Sequence, residues 1–340
     1  MCMSVAARPH PCHRIAVPDR PAPRLRLAVR DEVQSWSSAI DQMLTPDHPA
    51  RAVWDFAQGI DLWHLYRPIK ATQHRPGHPH VDPRILFALW LYATIDGVGS
   101  ARELDRLCTC HTAYQWLCGG VSMNYHTLAD FRVDHHDWLN ELLTNSVAVL
   151  LHQDLVTLNR VAQDGMKVRV SAGADTFRRQ PTLERRLAQA REQVDRIARR
   201  YGRAPREMLV DAGFGSLEDI DHLKQAHGTT TYAPVKNEKK LKEQGENPYA
   251  PREGDTAAVV EWRQRMGTES AQAIYKQRSS SAEWVNAGCR NRGLYQLVVR
   301  GVEKVRCCAL WQALAHNVMV MWRVATRQRQ NPVAADDSRQ

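Results

Sequence analysis

The stretch Glu207-Met-Leu-Val-Asp211-Ala-Gly-Phe-Gly-Ser216 carries the strongest indication of the fold. Its apolar residues are typical of a short strand, and Gly213 and Gly215 permit a tight turn directly after Asp211. A helix is predicted over 220–226, and a further strand over 229–235. This part of the chain therefore predicts a mixed α/β fold in which Asp211 lies at a strand end.

Two further carboxylates stand in recognisable contexts. Asp164 lies within 156–170, where β-branched residues and the alternation over 167–170 predict a strand ladder. Glu283 follows Tyr275 and Arg278 on a predicted helix. Two aspartates at strand ends and a glutamate on a later helix can hold two divalent metal ions, the equipment for cutting and rejoining a phosphodiester. The plainer interpretation of each carboxylate is a helix cap or a surface acid.

The region 31–152 is predicted to be almost entirely helical. Asp82-Pro83 is a favourable helix start, and 100–103 forms a capping box that opens a helix to Cys108. A second short helix is predicted from His111 to Cys118, ending at Gly119-Gly120, and a third from near Thr127. A polar segment follows the sheet at 236–256, and a last apolar helix is predicted over 309–324.

Three short helices with a glycine break are compatible with a helix-turn-helix. The polar side chains that would then face DNA are Asn124, Tyr125, His126, Arg132 and His136. Helix caps and ordinary surface residues are the favoured alternative for this set.

The composition favours an acidic partner. The 340 residues carry a formal charge of +9, with a pI of about 9.3, and this length suits two domains. Ten arginines against three acidic residues lie between Arg178 and Arg206. That surface is either a solvated helix face or one that contacts phosphates, since arginine suits bidentate phosphate contact.

Metal binding by cysteine and passage through a membrane are both disfavoured. The eight cysteines are irregularly spaced, and the cluster of Cys108, Cys110, His111 and Cys118 lacks the second half of a zinc motif. His74, His78 and His80 are interpreted as loop residues. The apolar run 85–95 is far short of the roughly 20 residues that span a bilayer. A reduced, cytoplasmic protein with no membrane contact is expected.

The ends of the chain and one long helix complete the organisation. Residues 1–30 are expected to be a disordered extension, and 327–340 a flexible tail. A heptad seam runs from Leu183 to Tyr201. Packing within its own domain is the favoured role of this seam, and a homodimer contact is the less favoured one.

Several of these stretches together resemble bacterial insertion-sequence transposases of the DDE type. The helical part of the family is matched by 82–93, 97–104, 116–120 and 126–132, and its RNase H-like part by 161–165, 209–214 and 275–283. The resemblance implies an all-helical DNA-binding domain over 31–152 and an RNase H-like catalytic domain over 153–326. It also implies terminal inverted repeats and target DNA as partners, and location at the bacterial nucleoid.

The resemblance also implies roles for individual residues. Asp164, Asp211 and Glu283 would bind two Mg²⁺ or Mn²⁺ ions and carry out catalysis. Tyr275 and Arg278 would be the tyrosine and arginine beside the glutamate. Arg290 stands where relatives often have lysine, two helical turns after Glu283. The gap between Arg278 and Glu283 is one residue longer than the family pattern, so the role of Arg278 is the weaker assignment.

The spacing between the two aspartates departs more seriously from the family. Asp164 and Asp211 are 211 − 164 = 47 positions apart, and a long helix, a loop and one short strand fill that interval. No room remains for the β-hairpin that relatives carry here. The sequence therefore predicts an internal deletion between 171 and 206, a sheet that lacks part of its strands, and impaired activity.

Three functions remain open at this point. The first is a DDE transposase, active or impaired, which hydrolyses and transfers strands at element ends. The second is a non-catalytic, transposase-derived DNA-binding remnant. The third is an unrelated RNase H-like nuclease, which would cleave DNA without strand transfer.

Overall fold

The computed structural model describes residues 37–71, 79–163, 168–170, 189–211 and 216–330. The predicted disordered extension, Asp164, His74, His78 and the start of the heptad seam lie outside these residues. Contacts divide the chain into Met1–Ala39 and Ile40–Gln340. The elements below all belong to the second unit.

The first part of this unit is helical, as predicted. After a 3₁₀ turn at Ile40–Met43 come α1 (Pro49–Gly59), α2 (Trp63–Tyr66), α3 (Pro83–Asp96), α4 (Ala101–Cys110), α5 (Thr112–Cys118), α6 (Tyr125–Val133) and α7 (His136–His152).

Most of the predicted helix boundaries are confirmed by their caps. The Asp82 carboxylate accepts a hydrogen bond from the Arg84 backbone N–H at 2.8 Å, and the Ser100 hydroxyl accepts one from the Glu103 N–H at 3.4 Å. Gly119 ends α5 with φ of 58°, a left-handed conformation that glycine adopts at low cost. The predicted start near Thr127 is wrong by two residues, because Asn124 caps α6 instead.

The helical core is built from both ends of the described chain. Helix α3 is buried on nearly all sides, and the Trp90 indole N–H donates to the Leu128 carbonyl at 2.7 Å. The last helix, α14 (Val302–Gln330), packs against α3 and α7, and its Trp311 indole N–H donates to the Arg132 carbonyl at 3.0 Å. It is longer than the predicted 309–324 and continues through Arg327, where a loose tail was expected.

The second part of the unit mixes strands and helices. Its elements are β1 (Arg160–Gln163), β2 (Arg169–Val170), α8 (Gln189–Tyr201), β3 (Glu207–Val210), α9 (Leu217–His227), β4 (Thr230–Tyr232), α10 (Glu238–Glu243), α11 (Ala257–Met266), α12 (Glu269–Arg278), a π-helical turn (Ser279–Glu283), α13 (Trp284–Asn291) and β5 (Gln296–Leu297).

A small parallel sheet organises this part, with strand order β1-β3-β4. Arg160 aligns with Glu207, and Gln163 with Val210. The predicted single ladder through 156–170 is wrong: β1 begins at Arg160, and β2 pairs with β5 in a separate two-stranded sheet. Within the described residues, β1 has only β3 as a strand neighbour. The predicted deletion remains a prediction, because residues 171–188 are not described.

The described part of the heptad seam packs inside the chain. Val194 is fully buried in the core beneath the sheet, and the Tyr201 hydroxyl donates to the Thr144 carbonyl at 3.3 Å. The favoured packing of the seam within its own domain is therefore confirmed for Val194, whereas Tyr201 contacts α7 of the helical part. The short helix α10 was missed in the predicted polar segment 236–256. No helix among the described residues is long and apolar enough to cross a bilayer.

Candidate metal and DNA site

The candidate site lies at the carboxyl edge of the parallel sheet. Because Gln163 and Val210 are register partners on parallel strands, β1 and β3 end side by side. Asp211 follows β3 directly, and its side chain is 46% exposed. Asp164 follows Gln163 in the sequence and lies outside the described residues. The described edge therefore presents one of the two predicted aspartates to solvent.

Helix α12 brings two further predicted residues to Asp211. The Arg278 Nη2 atom lies 3.9 Å from the Asp211 Oδ1 atom, and the Arg278 guanidinium lies 5.6 Å from the centroid of the Tyr275 ring. Tyr275 packs against the core beneath the sheet, which anchors this end of α12. The arginine side chain is only 16% exposed, so its charge is held close to the carboxylate. The structure thus joins Asp211, Tyr275 and Arg278.

A π-helical turn separates Arg278 from Glu283. It covers Ser279–Glu283, between the α-helices α12 and α13. A π turn closes its hydrogen bonds from residue i to i+5, whereas an α turn closes them from i to i+4. One turn after Arg278 is therefore residue 283 here, and residue 282 in an uninterrupted α-helix. The π turn therefore fits the five-residue step from Arg278 to Glu283 into about one helical turn.

Glu283 and Arg290 are both exposed and lie at the start and near the end of the helix that follows the turn. Seven residues correspond to about two turns, so both side chains project from a similar face of α13. An exposed carboxylate can bind a divalent metal ion, and an exposed guanidinium on the same face can contact a neighbouring phosphate.

A cleft of about 670 Å³ runs between the sheet and the π turn, and sequence reasoning missed it. Its lining includes Arg160 of β1, Leu209 of β3, and Ser280, Ala282 and Asn286 of the helical side. Arg160 donates to the Glu207 carboxylate at 2.6 Å and also to the Gln277 side chain. These contacts join residues far apart in sequence, so no local signal could have found them.

The predicted DNA-contacting residues of the helical part lie in different environments, some at the surface and one in the core. Asn124 is exposed, but its side chain accepts from the His126 N–H at 2.8 Å and so caps α6. The exposed His126 ring stacks with Tyr125 at 3.9 Å, and Arg102 lies over Tyr125 at 5.1 Å. Together Arg102, Asn124, Tyr125 and His126 form a basic and aromatic surface patch.

Arg132, in contrast, is a core residue. It is 8% exposed, its guanidinium lies 4.7 Å from the Trp90 ring centroid, and it donates to the Gly99 carbonyl. Burial lowers the pKa of this guanidinium. The expectation that Arg132 faces DNA does not fit its position, since its donors point into the protein.

Helices α4 and α5, with His111 between them, carry the four residues of the cysteine cluster. Cys118 is buried, and Cys108 is half-buried. His111 uses its Nδ1 atom to accept from the Ala113 N–H at 3.3 Å, so it is the cap of α5. These residues are not among the groups of three metal ligands found in the described part of the chain.

Comparison with protein families now identifies the chain. Residues 38–134 match a transposase domain of the DUF772 family, and residues 238–322 match a transposase DDE domain. No curated protein and no solved structure matches the chain. The chain belongs to the DDE-type insertion-sequence transposases. This family implies DNA as the partner and dependence on divalent metal.

The two family matches differ in which of the predicted site residues they include. The helical match ends one residue after α6, and the DDE match contains Tyr275, Arg278, Glu283 and Arg290. Asp164 and Asp211 precede the DDE match, which starts at residue 238.

Proposed function

We propose that this protein binds the ends of an insertion sequence and cuts them by metal-dependent phosphodiester hydrolysis, with strand transfer as the second step. The observation that carries the proposal is the meeting of Asp211 with Arg278 and Tyr275, beside a π turn that ends in Glu283. The family supplies the reaction class, and this geometry supplies the residues. An RNase H-like arrangement of the sheet is part of the proposal.

The chemistry of the donor set fits divalent magnesium or manganese. Asp211 and Glu283 offer partly or fully exposed carboxylates, and hard cations prefer such oxygen ligands. Asp164 is the proposed third ligand, because it follows the register partner of Val210 in the sequence. When bound, two such ions supply activation of water and stabilisation of the leaving 3′ oxygen.

The basic residues around the carboxylates have a separate role. Arg278 orients the Asp211 carboxylate, and its nearby charge lowers the repulsion between this carboxylate and the DNA backbone. Arg290 is placed to contact a phosphate from the same helix face as Glu283. In the helical part, the patch of Arg102, Tyr125 and His126 is the proposed DNA contact, with Asn124 as its supporting cap.

We further propose that catalysis is impaired. Within the described residues β1 pairs with β3 alone, and the family match to the catalytic domain begins only at residue 238. A sheet edge with unpaired backbone groups is a weak support for a site that needs fixed carboxylates. The chain would act on DNA at the bacterial nucleoid, and a homodimer would form through surfaces other than the described seam.

The second candidate function is a non-catalytic DNA-binding remnant. It is favoured by the contrast between the two family matches, since the helical match covers all of α1 to α6 and the DDE match omits both aspartates. Such a protein would occupy element ends without cutting them.

Metal-dependent cleavage separates these functions. Duplexes taken from the DNA that flanks the gene would be incubated with the protein and Mn²⁺ or Mg²⁺. If Asp164→Ala abolishes cleavage and leaves DNA affinity unchanged, the enzyme proposal stands. Binding without cleavage by the unaltered chain supports the remnant, and cleavage without joined products supports a nuclease.

A further inference from the structure

Three side chains that play no part in the proposed catalytic site converge between α8 and α9. The Asp195 Oδ1 atom lies 2.6 Å from the His227 Nε2 atom and 3.4 Å from the His222 Nε2 atom. The three atoms all lie within 4.8 Å of one another. Asp195 comes from α8, and both histidines come from α9.

This cluster is remote from the candidate catalytic edge. Helix α9 begins at Leu217, soon after Asp211, and His227 is its last residue. Eleven residues of α-helix span about 16 Å, so His227 lies at the far end of the element that starts near the edge.

The spacing of the three atoms approaches that of a metal shell. Ligand atoms about 2.0–2.1 Å from a tetrahedral zinc ion lie about 3.3 Å from one another. The separation of 3.4 Å between Asp195 and His222 already meets this value. The separation of 2.6 Å between Asp195 and His227 would open by under 1 Å, replacing a hydrogen bond with coordination.

We propose that Asp195, His222 and His227 form a binding site for a zinc-class divalent cation, with water as the fourth ligand. Side chains of Asp195 and His222 are 32% and 35% exposed, which leaves solvent access for that water. Two imidazole nitrogens favour zinc, cobalt or nickel over magnesium, which prefers oxygen ligands. The cation would tie α8 to α9 and stabilise this part of the fold, independently of the proposed function.

Cobalt titration of the full chain tests the site. After treatment with a chelator, the protein would be titrated with Co²⁺, and visible absorption would report tetrahedral coordination. One tetrahedral Co²⁺ per chain is expected, displaced by Zn²⁺ and not by excess Mg²⁺. Saturating Zn²⁺ should raise the melting temperature by roughly 3–5 °C.

Matched variants assign the ligands. His227→Gln should weaken Co²⁺ binding by roughly 100-fold or more, and Asp195→Asn serves if that variant fails to fold. His152→Gln, which alters an exposed histidine at the end of α7, should leave Co²⁺ binding unchanged, and Asp211→Asn should leave the tetrahedral Co²⁺ absorption unchanged. The proposal is overturned if the chain does not bind Co²⁺, or if folded His227→Gln binds it as strongly as the unaltered chain. It is also overturned if Asp211→Asn loses the tetrahedral Co²⁺ absorption, or if sulfur charge-transfer absorption indicates a cysteine site.

Discussion

The π turn at Ser279–Glu283 permits a sharp test of how this chain keeps its third carboxylate in place. Deleting Ser280, which is exposed, removes the extra residue and should convert the π turn into continuous α-helix. Glu283 would then be one α-helical turn from Arg278 and would keep its face. The free energy of unfolding should stay within about 1 kcal/mol of the unaltered chain, as for surface changes.

Deletion of Ala273 is the matched control. This residue is also exposed and lies inside the regular α-helix α12. No π turn at this point can absorb its loss, so the remainder of the helix rotates by about 100° and each Cα moves about 3.5 Å around the axis. Lys276 would take the place of Tyr275 against the core. The expected loss is about 3 kcal/mol, in the range for large core disruptions.

Urea unfolding monitored by circular dichroism measures both variants on the same scale. The expected result is a midpoint close to that of the unaltered chain for the Ser280 deletion and a much lower one for the Ala273 deletion. Equal, large losses for both would refute the reasoning, because the π turn would then not be where the extra residue is absorbed.

Four further substitutions and one change of pH have expected outcomes. The Asp255 and Arg263 side chains form a 2.7 Å ion pair and are only 5% and 6% exposed, so Asp255→Asn should destabilise the protein by about 3–5 kcal/mol in thermal unfolding. The hydrogen bond from Arg263 also holds the pKa of Asp255 below its ordinary value. The stability that this pair contributes is therefore complete above the ordinary pKa and is lost as the pH falls through the lowered one. Measuring the free energy of unfolding at decreasing pH would show this loss. Arg132→Met should lower the melting temperature without changing the salt dependence of DNA binding, because Arg132 packs inside the protein. His126→Ala should weaken DNA binding and leave the melting temperature unchanged. The reverse pattern would show that Arg132 contacts DNA. Arg278→Ala should reduce cleavage at least tenfold if Arg278 orients Asp211. The control is Arg306→Ala, which removes an exposed ion pair in α14. A smaller loss of cleavage in Arg278→Ala than in this control would exclude the orienting role.

Local chemistry made the helical part predictable. The caps at Asp82 and Ser100 and the glycine at 119 act through backbone groups within three residues, so the sequence itself carries the boundary. At α6 a suitable cap, Asn124, stands three residues before the predicted start, and a helix cap was the favoured alternative to a DNA contact for this residue. The capping signal was therefore present, but it was not used to set the start of the helix.

Long-range contacts account for what the sequence could not predict. The burial of Arg132 depends on Trp90, and the two-residue strand β2 exists only through its pairing with β5, more than a hundred residues away. Helix α14, the last element among the described residues, packs against α3 and α7 of the helical part. None of these contacts can be deduced from periodicity or capping.

The sequence predicted several residues of the candidate site but not how they are arranged in space. The resemblance supplied Asp211, Tyr275 and Arg278, and the structure brings these three together. The extra residue before Glu283 was visible as an anomaly in spacing, but a π turn depends on hydrogen bonds that spacing does not reveal. Asp164 remains a prediction because it lies outside the described residues, and the predicted deletion remains one because residues 171–188 of its interval are not described.

The most direct test of the proposed function is Mn²⁺-dependent nicking of a duplex that carries the element's end, compared between the unaltered chain and Glu283→Gln. The amide keeps the size of the side chain and removes its charge. DNA affinity would be measured in parallel, so that a loss of nicking can be separated from a change in DNA binding. The proposal predicts slow nicking that Glu283→Gln abolishes at equal DNA affinity. Specific binding with no nicking by the unaltered chain, or nicking that survives in Glu283→Gln, would contradict it.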